Sequence, residues 1–295
     1  MKQFGIMVCL LTAAAVTACG SGSSEPQAQP ANTGAPVVSP TPEPEHSGGY
    51  LFGKLYLNDA TSPEYPIQVI LSEDGRFRAQ QISPYGFPQT WLALRGSFEM
   101  HGRAIDGEGI AIANPGDTWL DGESTTGLSI SGTLDRPTTT DRGKLLVTVS
   151  MASGDSGRIE ATFAMLSPYY YGSDLPRLEG SWFAQMGDNG SWYPDPYGSA
   201  DPLLPPPGFV QLVVNADGAF SGTDDSGCVM DGQFSLIDTR FSLWGIEYIV
   251  SECEREGVFS GLALGDNGWY STRSLTFVAD DGSRTQALEF WINGI

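Results

Sequence analysis

Ile67-Gln68-Val69-Ile70-Leu71-Ser72-Glu73-Asp74-Gly75-Arg76-Phe77 and Val210-Gln211-Leu212-Val213-Val214-Asn215-Ala216-Asp217-Gly218-Ala219-Phe220 are one phrase written twice. Each is a β-branched run, a turn whose Gly sits where φ is positive, and the opening of a second run, which predicts a β-hairpin. Other phrases recur around them in the same order. Gly49-Tyr50-Leu51-Phe52 answers Gly180-Ser181-Trp182-Phe183, Gly96-Ser97-Phe98 answers Gly232-Gln233-Phe234, and Ser131-Gly132-Thr133-Leu134 answers Ser260-Gly261-Leu262-Ala263. The offsets run 131, 143, 136 and 129, as in a duplicated unit whose loops differ in length. Two tandem units follow, over 49–172 and 173–295.

Within each unit the hydrophobic period is two. Leu145, Val147, Val149 and Met151 alternate with Leu146, Thr148 and Ser150; Leu128 and Ile130 alternate with Ser129 and Ser131; Trp244, Ile246, Tyr248 and Val250 share one face. In the second unit, eight strands are expected near 179–185, 209–215, 219–224, 228–237, 240–251, 257–264, 272–279 and 284–292. Most neighbours are joined by short hairpins. This predicts an all-β fold of two antiparallel meanders, each closing into a small eight-stranded up-and-down barrel, with a β-sandwich as the competing architecture. Gly127, Gly132, Gly257 and Gly261 lie inside alternating runs, so they are expected to relieve barrel curvature rather than cradle phosphate.

Composition narrows the function. The chain carries 35 acidic against 15 basic residues, a formal charge of −20, which argues against nucleic acid as a partner. With 40% hydrophobic and 11% aromatic residues it has ample material for packed cores. Its 37 glycines and 20 prolines argue against a helix bundle.

The first residues read as an address. Lys2 followed by the uncharged, mostly apolar run Phe4 to Ala18 has the layout of a secretory signal over 1–18, too short to span a bilayer comfortably. Val16-Thr17-Ala18-Cys19 resembles the lipobox of bacterial lipoproteins. That resemblance implies cleavage before Cys19 and acylation of Cys19. With Gly20 and Ser21 next and no Asp, it further implies an outer-membrane destination. Several acyl chains anchor a protein stably where a single one does not. Residues 19–48, rich in Ser, Gly, Pro, Gln and Ala, are expected to be a disordered tether.

Cys9 leaves with the signal and Cys19 is lipidated, so Cys228 and Cys253 remain to pair as a disulfide in an oxidising compartment. Their hairpin would turn near residues 240 and 241.

No catalytic constellation emerges. His101 is the only histidine of the folded part and is expected at an exposed hairpin tip. Asp188-Asn189-Gly190 and Asp266-Asn267-Gly268 read as turns rather than calcium loops. No cofactor, metal or enzyme activity is expected.

Binding is the stronger expectation. Aromatics cluster in Pro/Gly settings at Tyr85 and Phe87 with Trp91, at Tyr169-Tyr170-Tyr171, and at Trp192, Tyr193 and Tyr197. Aromatic rings supply large contact area at low entropy cost. Tyr169 to Pro176 falls at the junction, where it would cement the two units. The last cluster lies in an insertion peculiar to the second unit: opening Gly to turn Gly spans 26 residues (49 to 75) in the first and 38 (180 to 218) in the second. The tether and tandem β-units distantly resemble the barrel lobes of transferrin-binding lipoproteins. A lipocalin signature is incomplete, since Gly180-Ser181-Trp182 supplies Gly-x-Trp and Gly49-Tyr50-Leu51 does not. The expected function is a lipid-anchored envelope protein that binds a protein or surface partner through aromatic end loops. An inhibitor or immunity protein against a cell-wall hydrolase, and a barrel carrying a small apolar ligand, are the alternatives.

Overall fold

A computed structural model describes residues 48–58, 64–82, 88–114, 116–138, 141–164, 169, 172–185, 209–224, 226–253, 256–266 and 272–293. Eight strands form the first unit: β1 (Gly49–Leu57), β2 (Glu64–Leu71), β3 (Arg76–Ile82), β4 (Pro88–His101), β5 (Ala104–Ile112), β6 (Thr125–Asp135), β7 (Lys144–Met151) and β8 (Ser156–Phe163). Each pairs antiparallel with its neighbour in sequence, and β8 returns to β1 to close a barrel. A 3-10 turn at Pro176–Leu178 precedes eight more: β9 (Gly180–Gln185), β10 (Phe209–Val214), β11 (Ala219–Asp224), β12 (Val229–Leu236), β13 (Leu243–Ser251), β14 (Gly257–Asp266), β15 (Thr272–Asp280) and β16 (Thr285–Asn293). These form the second antiparallel unit, which curls until β16 meets β9 at the single registered pair Trp291 and Phe183. Closure is thus broad in the first unit and narrow in the second. The all-β tandem expectation stands, and the sandwich does not.

The repeated phrase folds as its pattern predicts. Gly75 and Gly218 turn the two hairpins at φ +81° and +85°, a region that favours glycine. Register confirms the duplication. Phe77 faces Leu71 and Gly96 across its neighbouring strands; Phe220 faces Val214 and Gly232 in the same way. Likewise Gly132 lies between Ile105 and Val147, and Gly261 between Ile246 and Ala279.

Alternation then fills each interior. Along β7 the even side chains are exposed and Leu145, Val147, Val149 and Met151 point inward. The first core is mostly aliphatic, with Leu51, Leu55, Ile67, Val69, Leu94, Ile105 and their neighbours around Phe77, Phe98, Trp119 and Phe163. The second is aromatic: Phe220, Phe234, Tyr248, Phe259 and Phe277 form a ring cluster, with Tyr248 stacked on Phe259 at 5.3 Å. Gly132 and Gly261 sit in the interior register. A methyl group on either would overlap the carbonyl oxygen of the next strand, Leu146 or Val278, so the glycines let the wall bend as expected.

Strands β2 and β3 break the alternation, because nearly every residue from Ile67 to Leu71 and from Phe77 to Ile82 is buried. Their inward side chains fill the first barrel, and their outward side chains are covered by the second. Tyr50, Ile70 and Tyr169 pack there with Phe241, Leu243, Leu262, Leu264 and Val278.

The two barrels therefore dock through different faces of the repeat. Registering the copies shows that Tyr50, Ile70, Arg78 and Arg95 correspond to Ser181, Val213, Ser221 and Asp231, all exposed. Leu262, Val278 and Asp280 correspond to Thr133, Leu146 and Thr148, also exposed. Interiors match between the copies while the docking faces do not, so each unit uses one face and turns a mostly polar equivalent to solvent.

Candidate functional site

Topology sorts the connections by barrel end. The chain enters the first barrel at Gly48. That end also holds the turn after β2, the turn at Gly102 and residues 136–138 and 141–143 after β6; among the described residues the opposite end holds Asn58, 113–114, 116–124 and 152–155. Tyr85 and Phe87 fall in the sequence between β3 and β4. Trp192, Tyr193 and Tyr197 fall in the sequence between β9 and β10. Tyr85, Phe87, Trp192, Tyr193 and Tyr197, like Cys19, lie outside the described residues, and Trp91 is placed only as a position on β4. His101 ends β4 at the Gly102 turn, with a side chain 67% exposed.

Cys228 and Cys253 form the expected disulfide, with Cα atoms 5.0 Å apart. They lie just beyond the last registered pair of β12 and β13, Val229 with Ser251, in a hairpin centred on residue 240. The bond clamps the open end of that hairpin.

Tyr169 joins three parts of the fold. Its hydroxyl donates to Glu73 Oε1 at 3.0 Å, its ring stacks on Phe241 at 4.9 Å, and its carbonyl accepts from the Ser242 amide at 2.9 Å. Glu73 also accepts from the Gly48 amide, and Arg136 Nη1 donates to the Gly48 carbonyl at 2.7 Å. The entering chain, the first barrel and the second barrel are fastened at one point. The expectation that this segment cements the units holds for Tyr169.

The densest polar chemistry lies between the barrels. Outward positions of β3 and β4 make a small lattice in which Arg76 faces Ser97 and Arg78 faces Arg95. Like charges directly opposite repel. Asp280, fully buried at the end of β15, resolves the conflict by pairing Arg78 Nη1 through Oδ2 and Arg95 Nε through Oδ1, both at 2.7 Å. Arg78 Nη2 also donates to the Ser260 carbonyl at 2.6 Å. Burial lowers the Arg78 pKa from its ordinary value, and the Asp280 charge opposes that effect. Burial likewise pushes the nearby Tyr248 hydroxyl well above its ordinary value, so it stays neutral.

This lattice forms one wall of a cleft of about 340 Å³. Arg76, Arg95 and Ser97 line it from the first barrel, and Ser235, Gly245, Glu247 and Ser260 from the second. Gly96 and Ser97 also line a broader, shallower furrow that crosses β4 to β7 past Ser129 and Ser150. Hydroxyls, guanidinium groups and one rim carboxylate suit reversible polar recognition. Sequence reading missed Arg78, Arg95 and Asp280, which are distant in the chain. The available signal was the repeat itself, whose second copy is apolar at Leu262 and Leu264 where the first has Thr133 and Asp135.

No protein family, curated sequence or solved structure matches the chain.

Proposed function

We propose that this protein is a lipid-anchored envelope binding protein that works without catalysis, held through Cys19 in the outer membrane and recognising a protein or surface partner with the aromatic loops of its barrels. The observation that carries this reading is that both barrel interiors are filled by their own side chains, which leaves the aromatic clusters that fall between strands in the sequence, Tyr85 and Phe87 between β3 and β4 and Trp192, Tyr193 and Tyr197 between β9 and β10, as the candidates for recognition. Connections between the strands of a rigid scaffold are where binding residues concentrate.

Both interiors are packed with side chains, which favours surface recognition over carriage of an apolar ligand in a lumen. The charge of −20 favours a basic partner, the chemistry that an inhibitor of a cell-wall hydrolase would exploit. Replacement of Cys19 by Ser tests the anchor. Protein that is soluble or retains its precursor mass supports it, and unchanged mass with unchanged membrane extraction refutes it.

A further inference from the structure

From the cleft between the barrels we infer a second binding site, independent of the loops, that takes an oxyanion (a carboxylate or a phosphate group) on a ligand of small-molecule size. Three arginines occupy a two-by-two lattice on β3 and β4, in a chain that has only 15 basic residues in all. Docking of the barrels uses part of this charge and leaves the rest facing the cleft.

Arg78 is spent on Asp280 and the Ser260 carbonyl. Arg95 pairs with Asp280 through Nε, and among the described residues its two terminal nitrogens donate no hydrogen bond. Its side chain is 33% exposed, so those nitrogens are reachable. One carboxylate thus faces two guanidinium groups, leaving a local excess of one positive charge. A planar guanidinium with a free edge is suited to bidentate capture of a carboxylate or phosphate.

Arg76 adds another guanidinium, whose charge Asp74 balances and whose Nε donates to Asp74 Oδ2 at 2.8 Å. Its Nη2 is held 2.7 Å from Asp74, and its guanidinium lies over Gly245 of the second barrel. A side chain at Gly245 would meet Ser235 Oγ at 2.5 Å and Arg76 Nη2 at 3.4 Å, so the glycine keeps this part of the cleft open. The hydroxyls of Ser97, Ser235 and Ser260 provide further polar lining. The volume of about 340 Å³ falls at the lower end of small-ligand pockets.

Glu247 works against an anion. It lines the same cleft, is exposed and has no ion-pair partner among the described residues. A single charge at the rim acts as a filter, tolerating one oxyanion held by the arginines and opposing ligands of higher negative charge.

The test uses the full chain with inorganic phosphate and acetate as separate probes, read by amide NMR shifts and by calorimetry. Millimolar binding of either probe is expected, with shifts centred on Gly96, Ser97, Gly245 and Gly261. The probe that binds more tightly identifies the oxyanion class. Arg76→Gln should weaken binding by roughly tenfold. Glu247→Gln should tighten it by roughly threefold or more, through loss of one like charge. Both replacements are at partly exposed positions outside the Arg78–Asp280 contact, so they leave barrel docking intact. Three results would overturn the site: no shift with either probe, shifts that map elsewhere, or affinities indifferent to both substitutions. None of them bears on the anchor or the loops, which the Cys19 and Trp192 variants address separately.

Discussion

Replacing Asp280 by Ala tests how the two barrels are held together. The carboxylate is fully buried and forms ion pairs with Arg78 and Arg95 at 2.7 Å each. Without it, the Arg78 guanidinium, whose side chain is 8% exposed, keeps only the Ser260 carbonyl. Breaking one side of a buried ion pair costs about 3–5 kcal/mol, because the remaining charge is left without its counterion in a low-dielectric setting. Domains of this size lose about 2–4 °C per kcal/mol, so the melting temperature should fall by about 6–20 °C.

Calorimetry should also change in form. Weakened docking lets the barrels melt separately, and a single transition should split into two. Glu160→Gln is the control, because Glu160 pairs with Arg158 on the surface with both side chains over 40% exposed, and such pairs are worth about 0–1 kcal/mol. The double variant Arg78→Met with Asp280→Leu should recover most of the loss. It removes both buried charges, and Arg95 can turn toward solvent. If Asp280→Ala melts within about 1 kcal/mol of the native protein, as the control should, the ion triad does not hold the barrels.

Reduction of the Cys228–Cys253 bond, which closes a loop of 25 residues, should cost about 3 kcal/mol in denaturant unfolding, and two free thiols in protein prepared without reductant would refute the bond. Acid should loosen the 152–155 end of the first barrel through Asp155. Burial alone would raise that carboxyl, but the Leu120 amide, Asn58 and Ser153 together outweigh it and hold the pKa below 3.8. A depressed folded pKa means the stabilisation is complete above the unfolded value and fades as pH falls through it toward the folded one. Asp155→Asn should therefore flatten the acid limb of the stability profile below about pH 4, and an unchanged limb would contradict the assignment.

What could be read from the chain was what is local. Hairpins at Gly75 and Gly218 announce themselves within a dozen residues, since turn chemistry and strand alternation are properties of adjacent positions. The Cys228–Cys253 pair was readable because it spans one hairpin. Docking was not, because it joins side chains about two hundred residues apart, as Arg78 and Asp280 are. A repeat predicts symmetric units, and symmetry would make the two outer faces alike. Substitutions confined to outward positions broke that likeness: Arg78 against Ser221, Val278 against Leu146, Asp280 against Thr148. In an isolated strand such positions pass for solvent-facing variation. Their meaning appears only when the two copies are registered together.

The central claim, recognition through aromatic loops on a rigid pair of barrels, is tested most directly by one paired measurement on Trp192→Ala: partner affinity, with the partner captured from envelope extract, and melting temperature. A recognition residue should cost about 1–4 kcal/mol of binding, tenfold or more in affinity, and leave the melting temperature nearly unchanged. A lowered melting temperature with undisturbed affinity would mean that the ring packs the fold, and would contradict the account.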